Sequence, residues 1–124
     1  MMKTFSRKFL ASFSNAFSGI LLLFRSQANA QIELGITFIV LVAGLAFGIS
    51  SSEWVVILLC IALVLSLEGI NTAIEIFADK LHPGFDSEIG KVKDVAAGAV
   101  LIAAILAAII GIVIFAPRIF EMIL

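Results

Sequence analysis

The longest uncharged apolar run in this chain extends over 22 residues, from Val95 to Ala116. A helix rises about 1.5 Å per residue, so roughly 20 apolar residues cross the hydrocarbon core of a bilayer. Of all residues, 62% are hydrophobic, against roughly 45–50% in soluble domains. The sequence therefore predicts an all-α membrane protein. Its three transmembrane helices are expected at about 32–49, 53–81 and 94–116.

The N-terminal segment, at about 5–25, has a different pattern. Phenylalanine recurs at every fourth residue from Phe5 to Phe17 on one helix face, and Arg7 and Ser14 are among the polar residues opposite. The pattern predicts an interfacial amphipathic helix in the cytoplasmic leaflet. A signal peptide is the alternative interpretation, but recurring serines and the lack of a small-x-small cleavage site disfavour it. We expect one domain over residues 1–124, without repeats or linkers.

The ends of the predicted spans carry recognisable signals. The segment Ser50–Glu53 is a tight turn that caps the second span, and His82-Pro83-Gly84 stops that span. Asp94 is the predicted N-cap of the third span, and Pro117 its predicted end. Glu33 is expected at the mouth of the first span, at most one turn in and close to water.

Polar side chains form a stripe on the second predicted span. Five of them fall within about 100° of one helix face: Glu68, Asn71, Thr72, Glu75 and Asp79. A polar stripe on a membrane helix is costly unless it faces protein, water or an ion, so ionisable groups there are functional candidates. Two carboxylates with an amide between them can hold a divalent cation and leave one carboxylate as a base. This polar stripe is therefore the predicted active site.

The distribution of basic residues predicts the orientation. Four of the eight Lys and Arg residues precede the first span and three follow the second, which leaves Arg118 alone on the other side. The positive-inside tendency places the N-terminus and the loop after the second span in the cytoplasm, and the C-terminus outside. The polar stripe is then expected at the cytoplasmic leaflet, where ATP is available. A net charge of −1 gives no reason to expect nucleic acid as a partner.

Two motifs resemble those of a known family. Glu-x-x-Asn-Thr-Ala-Ile-Glu-x-x-x-Asp at 68–79, with Lys-Asp-Val-Ala-Ala-Gly-Ala-Val at 93–100, closely resembles the prokaryotic diacylglycerol kinase and undecaprenol kinase family of small integral-membrane enzymes. Glu53-Trp54 and the segment 110–117 look like the undecaprenol kinase branch. The resemblance implies ATP-dependent phosphorylation of diacylglycerol or undecaprenol. It also implies a requirement for magnesium and a homotrimer in the bacterial cytoplasmic (inner) membrane.

The resemblance further implies roles for individual residues. Glu68 matches the catalytic base, Asn71 a polar position that orients the site beside it, and Glu75 a magnesium ligand. The nucleotide is expected to contact residues of the stripe and of the segment after it: Glu75, Asp79, Gly84, Phe85, Asp86, Lys93 and Asp94. Gln27 departs from the family pattern, which commonly has a glutamate there as a second metal ligand. A glutamine oxygen still binds magnesium, but it brings no charge.

Two other functions are compatible with a small apolar chain. A membrane carrier would relay protons or cations through Glu68 and Glu75, but the polar groups are expected at one membrane face only. A non-catalytic membrane subunit would use the small-residue seam from Ala99 to Gly111 for helix packing, which leaves the polar stripe unexplained. The residues themselves do not decide between the two lipid substrates, because apolar walls discriminate chains poorly.

Overall fold

The computed structural model describes all 124 residues and contains four α-helices and no strand. The helices are α1 (Met2–Ser26), α2 (Ala28–Phe47), α3 (Ser51–Leu81) and α4 (Ser87–Ile123). By length and composition all four are apolar enough to cross a membrane, with mean hydropathy rising from 1.3 in α1 to 3.1 in α4. The predicted all-α membrane protein is thus confirmed. The interfacial position of α1 and the single domain stay predictions.

The chain buries few of its apolar side chains. Only 11 of the 124 residues are buried, and large apolar side chains are exposed along every helix. A soluble domain of this size would bury most of them, whereas in a bilayer the lipid tails cover the outer face. The small apolar core consists of Ile49, Ile57 and Ile114, where the turn after α2 meets α3 and α4.

Helix α1 packs against the rest of the chain mainly through its C-terminal half. None of its residues is buried, and the rings of Phe5, Phe9 and Phe13 contact one another and are exposed. A single residue in extended conformation, Gln27, separates α1 from α2. Helix α2 therefore begins four residues earlier than the predicted span, because the polar residues after Gln27 continue the helix.

The turn between α2 and α3 is closely packed. Gly48 ends α2 in the left-handed conformation, which glycine adopts without strain. The Ser50 hydroxyl accepts a hydrogen bond from the Glu53 backbone N–H at 3.3 Å, and the Glu53 carboxylate accepts one from the Ser50 N–H at 2.8 Å. This capping box confirms the predicted helix start. A Cβ on buried Gly44 would lie 2.6 Å from the Trp54 ring, so glycine is required there.

Helix α3 ends at Leu81 with His82 as its C-cap, as predicted from the proline that follows. Helix α4 begins at Ser87, and its N-cap is Asp86, whose carboxylate accepts hydrogen bonds from two backbone N–H groups at 3.0 Å. The prediction of Asp94 as N-cap is wrong. Residues 87–94 contain no proline and a single glycine, Gly90, so the helix extends from the apolar run back through the polar segment.

Pro117 does not end α4, which continues to Ile123. The prediction of a helix end at this residue is therefore wrong. A proline inside a helix leaves a carbonyl of the preceding turn without its usual donor. The Arg118 guanidinium donates a hydrogen bond at 2.7 Å to the Ile114 carbonyl in this same turn, so a side chain supplies a donor where the backbone pattern is disturbed.

Helices α3 and α4 form the most extensive contact and are linked by an ion pair at each end. At one end, two Arg118 nitrogens donate to the two Glu53 oxygens at 3.0 and 2.8 Å. At the other end, Lys93 Nζ lies 2.7 Å from Asp79 Oδ1. The polar stripe lies between them, towards the Asp79 end.

Candidate active site

Three residues of the polar stripe are buried in the middle of the bundle. Glu68, Asn71 and Thr72 are 3%, 6% and 5% exposed, and they are the buried residues with polar side chains. They share one face of α3 because they are spaced by three and four residues along the helix. The sequence analysis predicted this arrangement, and the structure brings the three side chains together.

The buried polar atoms have no protein partner. The Asn71 carbonyl oxygen and the Thr72 hydroxyl are shielded from solvent and make no hydrogen bond. Most buried polar groups in proteins are paired, because each unpaired one costs about 1–3 kcal/mol. Glu68, on the same face, has its carboxylate outside all four ion pairs of the chain. These groups are free to interact with a substrate.

Three grooves run between the helices, and two of them have a residue of the polar stripe in their walls. A groove of about 570 Å³ between α1 and α3 includes Thr72 in its wall. A second, of about 460 Å³ between α3 and α4, is lined by Asn71. A third, of about 460 Å³, lies between α2, α3 and α4 and has Glu33 among its lining residues. All three are mainly apolar, so a lipid with one polar group fits them better than a polar metabolite does.

Glu75, Asp79 and Lys93 lie further along the helix pair. The Lys93 ammonium pairs with the Asp79 carboxylate, which joins the two sequence motifs although they are 14 residues apart. Glu75 is half-buried and belongs to none of the ion pairs. Asp94 is exposed. These four residues therefore provide one neutralised pair, Asp79 with Lys93, and two free carboxylates, Glu75 and Asp94.

The connection between α3 and α4 holds the other three candidate residues. Gly84 has a φ of 135°, and Phe85 is 94% exposed, so its ring has almost no contact within the chain. Asp86 is engaged as the N-cap of α4. Hydrogen bonds from the backbone N–H groups of Ile89 and Glu88, with the nearby His82, lower the pKa of Asp86. Its carboxylate stays ionised and has one oxygen committed to the helix.

The candidate magnesium ligands Glu75 and Gln27 do not belong to a larger cluster of metal-binding side chains. No group of three or more His, Cys, Asp and Glu side chains is placed to hold a metal ion. Gln27 is half-buried and donates a hydrogen bond to the Ser26 hydroxyl at 3.4 Å, so its amide oxygen remains free as an acceptor. The free Glu75 carboxylate fits magnesium that is bound to nucleotide phosphates, since such ions need only one or two protein carboxylates.

Glu33 is the residue that the sequence analysis missed. Its Oε2 atom is shielded from solvent and has no hydrogen-bond partner, so the expectation that Glu33 stays close to water is wrong for this atom. Helix α2 begins at Ala28, which puts Glu33 in the second turn, where it lines the groove between α2, α3 and α4. The signal that the sequence offered for Glu33 was a single carboxylate within an apolar run, which marks a functional candidate.

The protein is an all-helical membrane protein in which α3 carries a buried carboxylate, Glu68, and a buried amide, Asn71, and the adjacent helix α4 carries Lys93. These are the kinds of group that phosphoryl transfer to a membrane alcohol requires. Residues 14–115 match the sequence model of the prokaryotic diacylglycerol kinase family. The chain belongs to this family, as its motifs predicted.

Two relatives support the assignment. The undecaprenol kinase of Bacillus subtilis (strain 168) is 38% identical over 115 residues, which cover 90% of each chain. The diacylglycerol kinase of Synechocystis sp. (strain ATCC 27184 / PCC 6803 / Kazusa) is 37% identical over 103 residues. That match covers 82% of this chain and 59% of the relative. Both relatives are named as lipid kinases.

Proposed function

We propose that this lipid kinase transfers the γ-phosphoryl group of ATP to the hydroxyl of diacylglycerol or undecaprenol at the cytoplasmic face of the bacterial inner membrane. The observation that carries the proposal is the buried stripe of Glu68, Asn71 and Thr72, in which the Asn71 carbonyl oxygen and the Thr72 hydroxyl lack hydrogen-bond partners beside apolar grooves. A lipid alcohol supplies both the missing hydrogen-bond partner and the apolar chain for a groove.

Glu68 acts as the general base in this proposal. It takes the hydroxyl proton as the lipid oxygen attacks the γ-phosphorus, and the bond from phosphorus to the ADP oxygen breaks, which gives the phospholipid product and ADP. Burial keeps water away from the base, and the Asn71 amide orients the hydroxyl. Water exclusion is important, because a base open to water would promote ATP hydrolysis.

The nucleotide is proposed to bind at the Asp79 end of the stripe. Lys93 faces the phosphates with Asp79 holding its ammonium in place, while Asp94, Gly84, Phe85 and Asp86 lie on the path of the nucleoside. Magnesium, when bound with ATP, neutralises charge on the phosphates. Glu75 would hold that ion, with the neutral Gln27 oxygen as a second ligand. Positioning and charge neutralisation are the main requirements of phosphoryl transfer.

The assembly is proposed to be a homotrimer with the N-terminus in the cytoplasm and the C-terminus outside. Three open grooves between the helices support an assembly, because a single chain leaves them uncovered on one side. The basic residues that flank the Asp79 end support the orientation.

The proposal is tested by a phosphoryl-transfer assay with labelled ATP in detergent, in which diacylglycerol and undecaprenol are compared. We expect labelled lipid phosphate from at least one of the two, and none without added lipid. The matched control variant is Glu121→Gln, which removes an exposed carboxylate at the opposite end of α4. If neither lipid is phosphorylated by protein that is folded and binds ATP, the proposed function is wrong.

A further inference from the structure

The N-terminal half of α1, residues 2–15, presents an apolar face that no other helix covers. Phe5, Phe9 and Phe13 are 75%, 56% and 54% exposed. Their rings contact one another, with centroids 6.4 and 5.1 Å apart. The α1 residues that line the groove with α3 all lie further along the helix, between Ala16 and Phe24. The apolar face of residues 2–15 is therefore left for a partner outside the chain.

The same half of α1 carries only positive charge. Lys3, Arg7 and Lys8 are exposed, and none of them takes part in the four ion pairs of the chain. Helix α1 contains no Asp or Glu. At 100° per residue, Lys3 and Lys8 lie at the two flanks of the phenylalanine face, and Arg7 lies opposite it. Long basic side chains at the flanks reach the head groups of a membrane while the rings enter the acyl boundary.

This charge decides between the partners that fit the apolar face. A second copy of α1 would bring the same three positive charges to the contact without an acidic residue to offset them. A surface of zwitterionic lipids would accept the phenylalanine rings but carries no net charge to attract the basic residues. Anionic lipids match both features, and each Lys or Arg near such a surface favours binding by roughly fivefold.

We propose that residues 2–15 of α1 are a docking surface for anionic lipids. Phe5, Phe9 and Phe13 enter the acyl boundary, and the three basic side chains contact the lipid phosphates. That these lipids belong to the cytoplasmic leaflet rests on the proposed orientation of the chain. The preference for anionic over zwitterionic lipid does not depend on the orientation or on the lipid kinase activity.

Docking restricts the movement of one wall of a groove beside the polar stripe. The C-terminal half of α1 lies against α3, where a Cβ on Gly69 would be 3.6 Å from Leu23 Cδ2. The groove between these two helices has Thr72 in its wall. Because α1 is one continuous helix, a first half that is anchored in lipid keeps the second half against α3. Anionic lipid should therefore favour binding of the lipid alcohol.

The direct test compares which lipid associates with the full-length protein in phosphatidylcholine vesicles. Electron paramagnetic resonance measures the immobilised fraction of spin-labelled phosphatidylglycerol, which is anionic, and of spin-labelled phosphatidylcholine. The wild type is expected to prefer phosphatidylglycerol, and 1 M salt should weaken the preference, since the Debye length is then about 3 Å. Lys3→Gln/Arg7→Gln/Lys8→Gln is expected to reduce the preference by about fivefold.

Two control variants make this comparison specific. Lys3→Arg/Arg7→Lys/Lys8→Arg keeps the charges and should keep the preference. Lys80→Gln removes an exposed lysine outside the ion pairs, on α3, and should also keep it. A wild type without preference, a preference that the triple Gln variant retains, or an equal loss in Lys80→Gln would overturn the proposal.

The kinetics of lipid phosphorylation give a second readout. Adding phosphatidylglycerol to the vesicles should lower KM for the lipid alcohol in the wild type and leave it unchanged in the triple Gln variant. An unchanged KM in the wild type would overturn the link to the groove. A higher KM for ATP in the triple Gln variant would mean that the basic residues bind nucleotide phosphates, which overturns the docking surface.

The association measurement requires no turnover, so it separates this inference from the proposed function. A lipid preference that depends on the three basic residues, in a protein that phosphorylates neither lipid, would refute the proposed function and leave the docking surface standing.

Discussion

The two ends of the α3–α4 pair treat charge in opposite ways. At the Glu53 end, both carboxylate oxygens of Glu53 are engaged by Arg118 and the helix cap, next to the small apolar core. Towards the Asp79 end, the stripe buries Glu68, Asn71 and Thr72 and leaves the Asn71 carbonyl oxygen and the Thr72 hydroxyl without hydrogen-bond partners. The first arrangement stabilises the fold. The second arrangement lowers the stability of the fold, because buried polar groups stay unpaired. We infer that substrate binding and chemistry take place there.

This contrast predicts how substitutions divide between the two regions. An unpaired buried polar group lowers the free energy of unfolding, so removing one does not destabilise the fold. Changes in the stripe should therefore reduce activity without reducing stability. Removing a paired or closely packed group at the Glu53 end should reduce stability and leave the chemistry intact.

Apart from Glu68, the largest effect is expected at Glu75, the proposed magnesium ligand. Glu75→Gln should lower activity by about 10² or more at a magnesium concentration that saturates the wild type, because charge neutralisation on the phosphates is lost. Gln27→Glu should act in the opposite direction and lower the magnesium concentration for half-maximal activity. The measurement is a magnesium titration at saturating ATP for the three proteins. Full activity of Glu75→Gln with an unchanged curve for Gln27→Glu would exclude both residues from metal binding.

The next largest effect is expected at Gly44, on the other side of the comparison. Gly44→Ala introduces a methyl group that meets the Trp54 ring at 2.6 Å, so α2 must move away at a cost of about 1–3 kcal/mol. The thermal unfolding midpoint in detergent should fall. Gly98→Ala is the matched control, since no atom lies within 4 Å of its added Cβ. Equal midpoints for the two variants would contradict close packing at the Glu53 end.

A smaller effect is expected from Arg118→Met, which keeps the apolar stem and removes the charge. The Glu53–Arg118 pair is about 27% exposed on each side, so its loss should lower the unfolding midpoint by a few degrees. Lipid phosphorylation per folded molecule should stay at the wild-type rate. A double-mutant cycle with Glu53→Gln measures the coupling. A selective loss of activity at an unchanged midpoint would show that this end takes part in function.

The same contrast explains which features the sequence could predict. The stripe follows from the period of a single helix, so Glu68, Asn71 and Thr72 were placed correctly from their spacing. The capping box was also predictable, because it involves residues three apart. In contrast, the N-cap of α4 was predicted at Asp94 and lies at Asp86. The apolar run marks where the membrane begins, and the helix begins before it.

Contacts between helices were the features that the sequence could not give. The shielding of Glu33 Oε2 and the pair formed by Asp79 and Lys93 depend on how separate helices rotate and slide against each other. Periodicity along one helix carries no information on that register. The role of Arg118 could not be predicted from periodicity either. Its guanidinium donates a hydrogen bond to the Ile114 carbonyl, and this accompanies the continuation of α4 past Pro117.

The central claim, that the buried stripe is catalytic and not structural, is tested most directly at Glu68. Glu68→Gln keeps the shape of the side chain and removes the base. The measurement is the rate of lipid phosphorylation, taken together with ATP binding and the unfolding midpoint of the same preparation. We predict a loss of about 10²–10⁴ in rate, with ATP binding retained and a midpoint equal to or above that of the wild type. A rate close to that of the wild type, or a loss of rate that merely follows a lower midpoint, would contradict the claim.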